Sequence, residues 1–264
     1  MFDHASQTSV VIPMDHAIEG AEFPELDDPR DLIASFVDVG VDGFLLRRGL
    51  AQFALKEFAG RGAFVQRVTA RTGLATGADG ESMIAGVEQA MRNGADAVCT
   101  TFMIGGDSER YQVSEFGKLA DECAAAGMAL VGEVFPLPGE GQAAYDGPFT
   151  VDEMRVAVRT ACEEGADVIK TWYSGDPESY RQVISCSTVP VLIAGGPPAK
   201  SQREVLEMVH GAMAAGAKGL MMGRKIWQSP NPPATASALM AIVRNGASVD
   251  EAEEVLHDAV VAAR

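Results

Sequence analysis

Eight short apolar runs recur along the chain, each bounded by turn residues. They are Val10–Met14, Gly43–Leu46, Ala63–Val68, Ala97–Phe102, Met128–Phe135, Val168–Trp172, Val189–Ala194 and Leu220–Met222. Their length and β-branched content predict buried strands. Between them lie Asp31–Val39, Glu81–Asn93, Glu115–Ala126, Val151–Glu164 and Arg203–Ala215, where apolar residues recur every three or four positions. That spacing puts the apolar side chains on one face of a helix. Four of these stretches close alike, with Gly40-Val41-Asp42, Gly94-Ala95-Asp96, Gly165-Ala166-Asp167 and Gly216-Ala217-Lys218. Glycine suits the left-handed position just past a helix end, and an apolar run then begins. Strand–helix alternation with short links means parallel strands and right-handed crossovers. Eight such units predict an α/β fold, a single closed (β/α)8 TIM barrel over residues 1–264.

The segment from Ser248 to Arg264 opens with Ser248 and Glu251 in capping-box spacing and predicts an extra C-terminal helix. The longest irregular stretch, Pro136–Pro148, follows the fifth strand and so lies at the C-terminal mouth. It reads as an active-site lid or as a plain surface excursion. Pro13 falls inside the first strand, where it removes a ladder donor, and a bulge near the mouth would accommodate it.

Composition agrees with this picture. Aromatics make up 6 % of the 264 residues and there are 28 glycines, a mixture suited to a parallel sheet with many tight turns. The net charge of −16 argues against nucleic acid and anionic membranes as partners, because both need a basic footprint. Cys99, Cys123, Cys162 and Cys186 form no CxxC and read as reduced thiols of a cytoplasmic protein. Met1–Ser9 has no basic segment followed by an apolar one, so no secretory leader is expected. No apolar run approaches the roughly 18 residues of a membrane span.

In such a barrel the reactive groups stand at the C-terminal ends of the strands. In chain order those ends deliver Asp15 and His16, Arg47 and Arg48, Arg67, Thr100 and Thr101, and Glu133. The sixth delivers Lys170, Trp172 and Tyr173, and the last two end in Gly195-Gly196 and Gly223-Arg224. Alternation along the sixth strand puts Val168, Lys170 and Trp172 on one face. If that face is the interior, apolar walls and a nearby cation would favour the neutral amine, which attacks a ketone to form a Schiff base. The alternative is a lysine that snorkels to solvent or pairs with a carboxylate. The two glycine corners suit a phosphate site, where backbone N–H groups approach an oxyanion closely and Arg224 adds charge; ordinary turns are the alternative.

Of the four histidines only His16 is at the mouth, so a multi-histidine zinc site is not expected. A magnesium site on Asp15 and Glu133 carries no motif. No metal or other cofactor is expected, and nothing matches a Ser-His-Asp constellation.

Met14-Asp15-His16, Arg48-Gly49, Ile169-Lys170-Thr171-Trp172-Tyr173, Ile193-Ala194-Gly195-Gly196 and Met222-Gly223-Arg224-Lys225-Ile226-Trp227-Gln228-Ser229 resemble the archaeal-type class I fructose-bisphosphate aldolases and their relatives. Those relatives include the thiolase that processes phosphorylated autoinducer-2 and synthases that join a ketose phosphate to aspartate semialdehyde. The resemblance spans almost the whole chain and keeps the motif order. It implies a Schiff-base Lys170, an Asp15 that assists proton transfer, and phosphate-binding loops at Gly195, Gly196, Gly223 and Arg224. It also implies a homo-oligomer, often a decamer, with a phosphorylated ketone and an aldehyde as substrates.

Two positions depart from the family's pattern. Asp15-His16-Ala17 stands where Asp-His-Gly is common, and Phe135-Pro136 stands where the aldolases place a catalytic tyrosine before a proline. Phenylalanine donates no proton, so acid–base work passes to Glu133, His16, Tyr173 or a water held by Asp15. The expected function is a metal-independent aldolase or aldolase-like synthase acting on a small phosphorylated ketose or ketone such as dihydroxyacetone phosphate. Two alternatives are thiolase-type acyl transfer to coenzyme A on a phosphorylated dione, and a non-catalytic sugar-phosphate-binding barrel.

Overall fold

A computed structural model of the chain describes residues 1–20, 23–75, 80–137 and 149–262. Eight strands form the barrel: β1 Ser9–Pro13, β2 Gly43–Leu46, β3 Ala63–Arg67, β4 Ala97–Ile104, β5 Ala129–Pro136, β6 Val168–Thr171, β7 Val191–Ile193 and β8 Gly219–Met221. Each pairs in parallel with the next, and β8 closes on β1. A short antiparallel ribbon, Thr69–Ala70 with Ser82–Met83, stands above β3. The expected lid lies largely outside the described residues, from 138 to 148.

The interior and the outer layer follow from the two-residue period. Val11, Leu45, Val65, Val131, Val168 and Leu192 fill the barrel, whereas Phe36, Phe44, Phe116 and Leu239 pack between strands and helices. The glycines closing the helices do adopt left-handed backbone, with φ of 90° at Gly40, 78° at Gly94, 102° at Gly165 and 110° at Gly216. The aspartates after three of them have a role that the pattern did not disclose. Asp42, Asp96 and Asp167 accept the backbone N–H of the second residue of the preceding strand, from Val10 (2.7 Å), Phe64 (2.8 Å) and Leu130 (2.8 Å). Each also donates its own N–H to the same residue's carbonyl, which ties adjacent strands at the bottom of the barrel.

No bulge is needed at Pro13. It is the last residue of β1, and its side of the ladder faces β8, which has already ended at Met221. Its carbonyl accepts the Trp227 indole N–H at 2.9 Å. Two helix boundaries differ from expectation. One helix starts at Val87 because Ser82–Met83 joins the ribbon, and another starts at Glu109 because the polar run Glu109–Gln112 hides its apolar period.

The helices Pro177–Ile184 and Pro232–Asn245 were not anticipated, although Asp176 and Asn231 cap them directly before proline at the first helical position. The C-terminal helix Val249–Ala262 packs on Pro232–Asn245. It opens with the expected box: Ser248 N–H to Glu251 at 2.8 Å, and Glu251 N–H to Ser248 Oγ at 3.3 Å.

Candidate active site

Lys170 lies on β6 with its side chain inside the barrel, 5 % exposed. Its amine pairs with Glu133 Oε1, from the register-matched position on β5. The other Glu133 oxygen, Oε2, accepts from Arg67 at the end of β3. Arg67 also donates from Nε to Asp15 Oδ2 (2.6 Å) and from Nη1 to Thr101 Oγ1 (2.9 Å). Two buried cations and two buried carboxylates therefore balance inside one network. A buried ion is tolerated only when paired in this way.

The electrostatics follow. Burial opposes charge at Asp15, but the Arg67 guanidinium, with His16 and Lys170, holds its carboxyl well below the ordinary carboxylate range. At Glu133 burial is again outweighed, by Arg67 and Lys170, and the carboxyl is lowered. Burial pushes His16 down to about 4, with Asp15 opposing and Lys170 and Arg224 assisting. Its Nδ1 is buried 3.4 Å from Asp15 Oδ1, too long for a strong hydrogen bond. The ring lies edge-on to Phe23 and Trp227 and lines the cavity.

That cavity, of about 470 Å³, joins most of the expected residues. His16, Glu133 and Lys170 line it together with Gly195, Gly196, Gly223 and Arg224. Asp15 sits behind it, buried under Arg67. Only glycine fits at position 223: a Cβ there would stand 2.4 Å from the Pro13 carbonyl and 2.8 Å from Trp227 Nε1. Gly196 has φ of 63°.

Tyr173 is not brought to this site. It faces the outer layer, edge-on to Tyr180, with its hydroxyl against Gly211. Alternation along β6 already separated it from Lys170 and Trp172, so the signal was present and was overlooked.

Several contacts around the cavity were not visible in the sequence. Phe135 and Trp172 form an aromatic wall, ring centroids 5.4 Å apart, and Phe149 continues it. Lys225 stands beside Arg224 and donates to the Pro197 carbonyl at 2.5 Å. Arg67 was visible only as a residue at a strand end. Among the described residues no three His, Cys, Asp or Glu side chains gather as metal ligands. Nor is any described helix long and apolar enough to cross a membrane.

Comparison with known proteins agrees with this architecture. The model of the DeoC/LacD family of aldolases matches residues 9–229. A 2-amino-3,7-dideoxy-D-threo-hept-6-ulosonate synthase of Halobacterium salinarum is 33 % identical over 243 residues, covering 92 % of this chain and 89 % of the relative. A class 1 fructose-bisphosphate aldolase of Thermoproteus tenax is 31 % identical over 250 residues, covering 92 % of each chain. Among solved structures, a Schiff-base-forming fructose-1,6-bisphosphate aldolase superposes with a TM-score of 0.83 at 30 % identity, over 92 % of this chain and 96 % of that one. The chain belongs to the DeoC/LacD aldolase family, and it is a class I aldolase or aldolase-like synthase on a TIM barrel.

Proposed function

We propose that Lys170 is the Schiff-base nucleophile and that the enzyme makes or breaks a C–C bond of a small phosphorylated ketone such as dihydroxyacetone phosphate. The supporting observation is an amine inside a cavity that also holds two glycine corners and Arg224. In the synthetic direction Lys170 gives up a proton and its nitrogen attacks the ketone carbon. Loss of water leaves an iminium ion. A proton then leaves the adjacent carbon, the enamine attacks the aldehyde carbon, and the new alkoxide takes a proton. Water finally cleaves the iminium and restores the amine.

Glu133 receives the ammonium and is the nearest base for its proton. His16 is the shuttle we assign in place of a tyrosine. It is neutral near pH 7, its Nδ1 lies 3.4 Å from Asp15 Oδ1, and its ring lines the cavity. Gly195, Gly196, Gly223 and Arg224 hold the phosphate through backbone N–H groups and a charge-assisted pair.

Borohydride reduction in the presence of dihydroxyacetone phosphate, followed by peptide mass spectrometry, tests this reading. A stable adduct on Lys170 is the expected result. No adduct with any ketone phosphate defeats it.

We also propose a cytoplasmic homo-oligomer, a decamer if it follows the family it resembles. The four free cysteines suit a reducing compartment, and exposed Leu74, Met91, Tyr111 and Val156 are apolar surface that neighbouring subunits would cover. Light scattering measures the size.

A further inference from the structure

Resting on that reading, we infer that the aldehyde partner carries no phosphate. The argument is the distribution of charge around the ring of strands. Arg224 and Lys225 follow β8, and Gly195 and Gly196 follow β7. In the closed ring these strands stand opposite β3 and β4. On that opposite arc and toward β6 the cavity is lined by Arg67, Glu81, Thr101, Phe135 and Trp172.

The basic residues of that arc are committed elsewhere. Arg67 is held by Asp15, Glu133 and Thr101. Arg47 donates to the carbonyls of Asp15 (2.7 Å) and Thr69 (2.9 Å), Arg48 donates to Gln89 (2.8 Å), and Arg71 donates to the Ala75 carbonyl (3.3 Å). None of Arg47, Arg48 and Arg71 is among the described residues lining the cavity. The sequence holds no Lys or Arg from 119 to 154, and outside the described residues the only basic residue is the terminal Arg264.

A phosphate on the acceptor would therefore lose water, gain no cation, and face the carboxylate of Glu81 beside two aromatic rings. An unpaired anion in that setting is strongly disfavoured. An aldehyde without phosphate meets a flat aromatic wall for its carbon chain and the Thr101 hydroxyl for its oxygen. The enzyme thus has one phosphate cradle for the ketone and an aromatic berth, bordered by Glu81, for the aldehyde.

The test compares glyceraldehyde with glyceraldehyde 3-phosphate, two acceptors differing only in the phosphate, with dihydroxyacetone phosphate as donor. We expect kcat/KM for glyceraldehyde to be higher by about tenfold or more. Glu81→Gln is expected to narrow that ratio by helping the phosphorylated acceptor selectively. Equal or reversed preference, or addition to neither aldehyde, overturns the inference. Borohydride trapping with the donor alone reports separately. An adduct on Lys170 then leaves the proposed function standing, whereas its absence removes that function and this inference together.

Discussion

Glu133 and Lys170 occupy paired register positions on β5 and β6, and their side chains meet inside the barrel as an ion pair. The same carboxylate holds Arg67, which in turn holds Asp15. Four strand ends, on β1, β3, β5 and β6, are thereby linked through charge. The network poises the amine and also ties the mouth of the barrel together.

Arg67→Met leaves two buried carboxylates with one buried cation fewer. Removing one partner of a buried pair typically costs about 3–5 kcal/mol, and urea unfolding at pH 7 should show a loss of that order. The acid limb gives the sign. Asp15 and Glu133 are lowered in the fold from ordinary values of 3.8 and 4.5, so their stabilisation is present above those values and is lost as pH falls through the folded ones. The wild-type urea midpoint should therefore drop with acidification below pH 4.5, and Arg67→Met should flatten the drop. An unchanged acid limb would show that the network is not its source.

His16 titrates in a different window. Its value falls from 6.5 to about 4 on folding, so between those pH values the unfolded chain binds the extra proton and stability declines as pH drops. His16→Gln should remove that part of the slope. The same variant should lower kcat by about 10²–10⁴ while still forming the borohydride adduct, as loss of a general acid–base group does. Tyr173→Phe, altered on the outer layer, should change kcat/KM by less than about twofold.

Lys170→Met keeps most of the side-chain volume and removes the nitrogen. We expect no trapped adduct and a fall in turnover of at least about 10³-fold. Far-ultraviolet circular dichroism should stay native, because Glu133 keeps its bond to Arg67. A variant that still turned over would refute the role of this amine.

Arg224→Ala separates phosphate binding from chemistry. KM for the ketone phosphate should rise about tenfold, the worth of one charge-assisted bond, while dihydroxyacetone without phosphate is handled as before. Equal losses on both substrates would place Arg224 outside the phosphate site.

Local chemistry was enough to determine much of this protein from its sequence. A strand two residues in period, a helix of three or four, and a glycine free to turn left-handed are set by neighbours in the chain. So eight strands, most of the helices and the inward face of Lys170 were legible, and the order of motifs pointed to the aldolase family. The capped helices at Pro177 and Pro232, and the outward turn of Tyr173, were legible by the same rules and went unread.

The tertiary structure alone decided which charges meet. Asp15, Arg67, Glu133 and Lys170 are separated by 52, 66 and 37 positions, and Asp42, Asp96 and Asp167 each reach a strand 32 to 37 residues away. The sign of a charge is written in the sequence, but its partner is set by distance. Coulomb attraction and desolvation act over a few ångströms that exist only once the barrel has closed.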